Sequence, residues 1–202
     1  MTKIDFKKEL KELYQPSAKQ PSIVQVPAMN FLMIDGAGDP NTSQEYQEAM
    51  QALYGMAFTL KFMIKGADGP DWVIPPLEGL WWMQDMAEFS LDAKHDWLWT
   101  SMIMQPETVT EQLVEEARAQ LKEKKDPPAL PKLRFENFDE GLCAQIMHIG
   151  PYDAEGPTIA KLHEFIAQKG HQLRGKHHEI YLSDPRRTAP EKLKTVLRQP
   201  IA

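Results

Sequence analysis

The amino-acid sequence predicts an α+β fold made of two pseudo-symmetric strand-helix-strand-strand modules within one domain. Three observations carry this reading. Apolar runs of strand length and longer segments of helical period follow the same order twice along the 202 residues. A shift of about 114 positions sets Met33 on Met147, Gly36 on Gly150 and Asp39 on Asp153. Near the ends of the halves, Met102 to Pro106 parallels Val196 to Pro200, the smaller offset there reflecting a shorter second helix.

The elements follow in order. Phe6, Leu10, Leu13 and Tyr14 have helical spacing, so a short helix opens the chain, and Pro16 and Pro21 end it. Ser22 to Val26 and Asn30 to Asp35 are apolar runs bounded by Pro and Gly, the pattern of two strands. Thr42 or Ser43 can cap a long helix reaching about Lys65, with Glu45 in the first turn, where negative charge is favoured. Leu77 to Met83 and Trp97 to Met104 read as strands. Val109, Leu113, Ala117 and Leu121 recur every four residues and mark a helix from Thr108 to Lys124.

Three prolines between Asp126 and Pro131 make a stiff connector. Lys132 to Phe138 and Gly141 to Ile149 then form a strand pair. Thr158 to Gln168 is a helix stopped by Gly170, His177 to Leu182 a strand, and Leu193 to Ile201 the last extended piece. The single domain 1–202 thus divides into a first module at about 20–106, a connecting helix and Pro-rich linker at 107–131, and a second module at about 132–202.

Composition narrows the function. A net charge of −6 with scattered basic residues disfavours nucleic acid and anionic membrane surfaces as partners. A lone cysteine, Cys143, excludes an internal disulfide and a cysteine-based zinc cluster, and in its apolar strand it reads as an inert buried thiol. The first residues lack the apolar stretch of a signal peptide, and no apolar run approaches a membrane span, so a cytoplasmic location is expected.

Side chains alternate across a strand, so His178, Ile180 and Leu182 share one face, and the two aliphatic residues suit packing under the helix. Glu179 and Tyr181 share the other face, about 7 Å apart by strand rise. A carboxylate beside a phenol on an apolar strand is either part of a solvated sheet face or a functional pair. All five tryptophans lie between Trp72 and Trp99. Trp97 and Trp99 share a face, whereas Trp81 and Trp82 point oppositely, so one of that pair leaves the core side and is available to line a cavity. An aromatic wall facing a buried carboxylate attracts flat, cationic or electron-poor molecules. Burial there is expected to raise the Glu179 pKa.

Other motifs fail. His178-Glu179 lacks the second histidine of a zincin at Leu182, and the six histidines make no metal site. Gly36-Ala37-Gly38 is a turn without the lysine of a phosphate loop. No metal and no cofactor is called for.

Several runs together carry a family resemblance. These are Gly79-Leu80-Trp81-Trp82, Trp97-Leu98-Trp99-Thr100, Met102 to Pro106, Gln145 to Tyr152 and His177 to Pro185. In order, and across nearly the whole chain, they resemble the GyrI-like small-molecule-binding proteins, closest to the stand-alone branch that includes the cyclopropanoid cyclopropyl hydrolases. The resemblance implies a ligand cleft between the two modules and places Glu179 against the ligand. It implies an aromatic cage drawn from Trp82, Trp99, Tyr54, Tyr152 and Tyr181, with Trp81 able to exchange roles with Trp82 and Trp97 beside them. Regulatory relatives carry a DNA-binding domain ahead of this module, and the residues before Ser22 are too few for one.

Two functions follow. In the first, the protein hydrolyses the strained cyclopropane of electrophilic, DNA-alkylating xenobiotics and so protects the cell. Water is the nucleophile, Glu179 the base, and Tyr181 a hydrogen-bond donor to the oxygen that gains charge. In the second, the same residues bind and sequester cationic or aromatic toxins without transforming them. Both imply a small aromatic or cationic organic partner and no cofactor.

Overall fold

The period-two segments of both modules pair into one antiparallel sheet of eight strands in the computed structural model of the protein, which describes residues 3–84 and 94–202. The strands are β1 (Ser22–Val26), β2 (Met29–Ala37), β3 (Leu77–Trp82), β4 (Leu98–Gln105), β5 (Arg134–Phe138), β6 (Gly141–Ile149), β7 (His177–Tyr181) and β8 (Lys194–Pro200). Their order is β1-β6-β8-β7-β3-β4-β2-β5. Exchanging β1 to β4 with β5 to β8 returns this order read backwards. Register keeps the relation, because Met33 pairs with Met102 and its counterpart Met147 pairs with Val196. The half-sheets join edge to edge at β3 and β7, where Glu78 meets Ile180.

The expected opening helix is two short turns, α1 (Phe6–Glu9) and α2 (Lys11–Tyr14). Ser43, not Thr42, caps α3 (Gln44–Gly66), accepting the Tyr46 N–H at 3.3 Å. Thr110 caps α4 (Glu111–Lys124), which therefore starts later than the apolar period suggests. The last helix is α5 (Gly156–Gln168). No helix among the described residues is long and apolar enough to cross a membrane.

Cross-strand partners point to the same face of a sheet. Ile34, Ser101, Gly79, Glu179, Leu197 and Ile146 are successive partners across six strands and so form one row. Helix α3 covers one end, burying Leu53, Met56 and Leu60 with Leu32 and Ile34. Helix α5 covers the other, burying Leu162 and Ile166 with Ile146 and Leu197. Glu179 falls in the seam between them.

The opposite row runs Met33, Met102, Glu78, Ile180, Val196, Met147. Ile180 and Leu182 accordingly pack with Leu13 and Tyr14 of α2, not beneath a long helix as expected. The physical reason is that α3 and α5 both occupy the Glu179 face. Cys143 is buried in this same cluster.

A polar network is buried on the α2 side. The Tyr14 hydroxyl donates to Glu78 at 3.0 Å, and Arg198 donates to Glu140 at 3.2 Å and to the Leu13 carbonyl at 2.8 Å. His178 sits between Glu78 (3.0 Å) and Glu140 (2.8 Å). Both ring nitrogens face carboxyl oxygens, an arrangement that suits an imidazolium donating from both. Burial acts to lower its pKa, but Glu140 and Glu78 outweigh burial and raise it to about 9.

Candidate functional site

Glu179 lies in the seam with 8% of its surface exposed, so it is not the solvated group of an open sheet face. Tyr181, two residues on, turns its hydroxyl back and donates to Glu179 Oε2 at 2.7 Å. The same hydroxyl accepts from Trp81 Nε1 at 2.9 Å. The indole reaches that far because Gly79, the cross-strand partner of Glu179, has no side chain. A Cβ there would stand 2.7 Å from Trp81 Nε1. Gly36 does the same for Trp99, whose ring a Cβ would meet at 2.3 Å. Two glycines thus let two indoles lie flat along the sheet.

Other rings close the wall. Tyr46 of α3 stacks on Trp81 at 6.2 Å and meets Trp99 edge-on at 5.0 Å. Trp97 meets Trp81 edge-on at 5.3 Å, and Tyr152 meets Tyr181 edge-on at 5.6 Å. Tyr152 and Tyr54 remain 37% and 38% exposed, which places them at the solvent side. Tyr54 stays within electrostatic reach of both Tyr46 and Tyr152.

The structure therefore brings together Glu179, Tyr181, Trp81, Trp97, Trp99 and Tyr152, with Tyr54 beside them. Trp82 stands apart. It packs on the opposite face with Leu80 and Met104, and Lys176 Nζ lies 3.3 Å from its ring centroid. Of the two adjacent indoles, Trp81 is the one in the seam.

Three seam residues escape a strand-based reading. Tyr46 looks like one more apolar position of a long helix. His177, buried at 4% exposure, has its Nε2 3.4 Å from Glu179 Oε1. Glu155, at the N-terminal end of α5 and 3% exposed, acts electrostatically on the Glu179 carboxyl.

These partners reverse one expectation. Burial does push the Glu179 pKa up, but the neighbouring His177, the Tyr181 hydrogen bond and Glu155 outweigh it and hold the carboxyl below its usual value. Burial and then the Glu179 charge push Tyr181 well above the usual phenol value, so it keeps its proton and remains a donor. Burial followed by neighbouring carboxylates takes Tyr152 to about 12. The result is an ionised acid held by a neutral phenol inside an aromatic wall. Such an arrangement can offset a positive charge or draw a proton from water. Among the described residues, no group of three or more His, Cys, Asp and Glu side chains could hold a metal ion.

Comparison with known proteins places the chain. The GyrI-like small molecule binding domain family matches residues 19–202. An uncharacterized conserved protein from Listeria innocua is 46% identical, with a TM-score of 0.93 over 99% of this chain and 100% of that one. A hydrolase from Listeria innocua is 44% identical, with a TM-score of 0.90 over 100% of both chains. A further hydrolase from Listeria innocua is 43% identical, with a TM-score of 0.88 over 99% of this chain and 100% of that one. No curated protein matches.

Proposed function

This chain belongs to the GyrI-like small-molecule-binding domain family, and on that premise we propose that it takes flat organic molecules into the α3–α5 seam and hydrolyses strained cyclopropanes among them. The observation that carries the reading is the buried, ionised Glu179, hydrogen-bonded by Tyr181 beneath Trp81 and Tyr46. The two similar hydrolases from Listeria innocua support it.

In this reading the rings hold a flat, electrophilic substrate near attack geometry and limit bulk water. Glu179 takes a proton from the attacking water as its oxygen bonds to the ring CH2. The strained C–C bond breaks, and its electron pair passes through the conjugated system to a carbonyl oxygen, which then takes a proton. Ring strain supplies much of the driving force, so one base and one donor suffice. The class of compound is a DNA-alkylating xenobiotic, and the outcome is protection of the cell, with the protein acting in the cytoplasm. The palindromic strand order and the shared register support an internal duplication as the origin of the seam.

The test is incubation with a cyclopropane-bearing alkylator, followed by mass analysis. A gain of one water with wild type, lost in Glu179→Gln while tryptophan quenching by the compound persists, is the expected result. Saturable quenching without any change in mass would make the protein a sequestering module, with Glu179 as counter-charge.

A further inference from the structure

Lys176 stands one residue ahead of β7, and alternation puts it with His178 on the face opposite Glu179. Its contact with Trp82, which packs on that same face, agrees. A cavity of about 210 Å³ lies there, between β3, β8 and the β5–β6 turn. Buried Leu80 and Pro200 and half-buried Phe138 give it an apolar lining, and Arg174 and Lys176 stand at the same cavity. We propose that this cavity is a second small-molecule site, which takes an aromatic monocarboxylate. The ring lies against Leu80, Phe138 and Pro200, and the carboxylate sits between Arg174 and Lys176.

The two cations lack an acid. Arg174 donates from Nη2 to the Glu140 carbonyl at 2.6 Å and from Nε to the Ile201 carbonyl at 3.4 Å. Both acceptors are neutral, and the guanidinium keeps further N–H groups. Lys176 Nζ has found only the Trp82 ring, 3.3 Å from its centroid. Among the described residues no carboxylate forms an ion pair with either side chain. Burial, helped by Arg134, lowers the Lys176 pKa against Asp35 and Glu136 further out, so this poorly solvated ammonium gains from an anion.

The acids of the lining do not supply that charge. Glu140 is buried, with Oε1 2.8 Å from His178 and Oε2 3.2 Å from Arg198, so both its oxygens are engaged elsewhere. Asp139 is exposed, where water screens it. A more open recess of about 360 Å³ adjoins Lys176 and Trp82, but its guanidinium, Arg134, is held by Asp35 at 2.7 Å and Glu136 at 2.8 Å. Only the smaller cavity joins an apolar lining to two uncommitted cations, the pairing that a ring bearing a carboxylate matches. The site is independent of the seam and of any hydrolysis there, so either reading can fail without the other.

The experiment is amide NMR of the full chain titrated with sodium benzoate. Saturable shifts are expected around Leu80, Phe138 and Gly175, with the amides around Tyr46 and Tyr152 in the seam undisturbed. Benzamide, which keeps the ring without the charge, and acetate, which keeps the charge without the ring, should each bind at least about tenfold more weakly. Lys176→Met and Arg174→Gln should each lose about 10–100-fold in benzoate affinity. Both should leave tryptophan quenching by a flat cationic dye at its wild-type level. Equal affinity for benzoate and benzamide, shifts centred on Tyr46 and Tyr152, or shifts that never saturate would each overturn the site. Those three results come from the wild type and need no variant to fold. Benzoate affinity unchanged in both variants would overturn it as well.

Discussion

Tyr181 Oη stands 2.7 Å from Glu179 Oε2 and 2.9 Å from Trp81 Nε1, so one hydroxyl joins the acid to the aromatic wall. Its proton points to the carboxylate, and its lone pair receives the indole N–H. Tyr181 thereby holds Glu179 in its ionised form and fixes the plane of Trp81. The Tyr181→Phe variant removes the donor and leaves the indole N–H without that acceptor. A hydrogen bond to a charged group contributes about 1.5–3 kcal/mol, so kcat/KM should fall about 10–100-fold. The Glu179 pKa rises, and because the base works when ionised, the acid limb of the pH–rate profile moves to higher pH. An acid limb that stays in place would show that Tyr181 does not support the carboxylate.

Gly79→Ala tests the same wall from the sheet. The new Cβ would lie 2.7 Å from Trp81 Nε1, a contact relieved only by swinging the indole away from Tyr181. Overpacking of this kind costs about 1–3 kcal/mol. Thermal unfolding should show that loss, and quenching titrations should show weaker binding. Gly36→Ala should be more severe, since its Cβ would meet two Trp99 ring atoms at 2.3 Å and the ring is fully buried. If Gly79→Ala bound compound as well as wild type, the position of Trp81 would not matter to the site.

The outline of this fold is legible in the sequence because it rests on local periodicity. Strand alternation sets Glu179 beside Tyr181, and the repeat anticipates a two-part sheet whose registers match. Alternation also says that Trp81 and Trp82 part company, but not which one meets Glu179. That choice is made by pairing across the chain, where Trp81 stands opposite His177 and Trp99. Tyr46 and Glu155 arrive from helices, and no strand motif announces them. The lowered Glu179 pKa is hidden from the sequence for the same reason. Burial can be inferred from one strand, whereas Glu155 reaches the carboxyl only in the folded chain.

The two adjacent tryptophans make a paired test. Trp81→Phe keeps a ring against Tyr46 and Trp97 but removes the N–H that Tyr181 accepts. Affinity for a flat cationic dye should fall several-fold, within the range of about 1 kcal/mol for an aromatic or neutral hydrogen-bond contact. Trp82→Phe lies on the other face, where it weakens the Lys176 contact at a cost of about 0.5–1 kcal/mol in stability. Its binding curve should match wild type. Equal losses in both variants would place the ligand somewhere other than the seam.

His178 gives the fold a pH dependence whose sign can be worked out. In the unfolded chain its pKa is about 6.5, and between Glu78 and Glu140 it rises to about 9. The folded state therefore binds this proton more tightly than the unfolded state. Its contribution is fully present below pH of about 6.5, and it is lost as pH climbs through about 9. Urea unfolding across that window should show stability falling with rising pH, by a few kcal/mol in order of magnitude. Amides near Leu13 and Tyr14 should exchange faster at the alkaline end, because this network ties α2 to the sheet. His178→Gln should unfold more readily below pH of about 6.5, by about 3–5 kcal/mol, since it leaves buried carboxylates short of one positive charge. It should also flatten the alkaline slope. A wild-type protein whose stability instead rose through this window would mean that the folded protein holds fewer protons there than the unfolded chain, and that the buried ring is not an imidazolium.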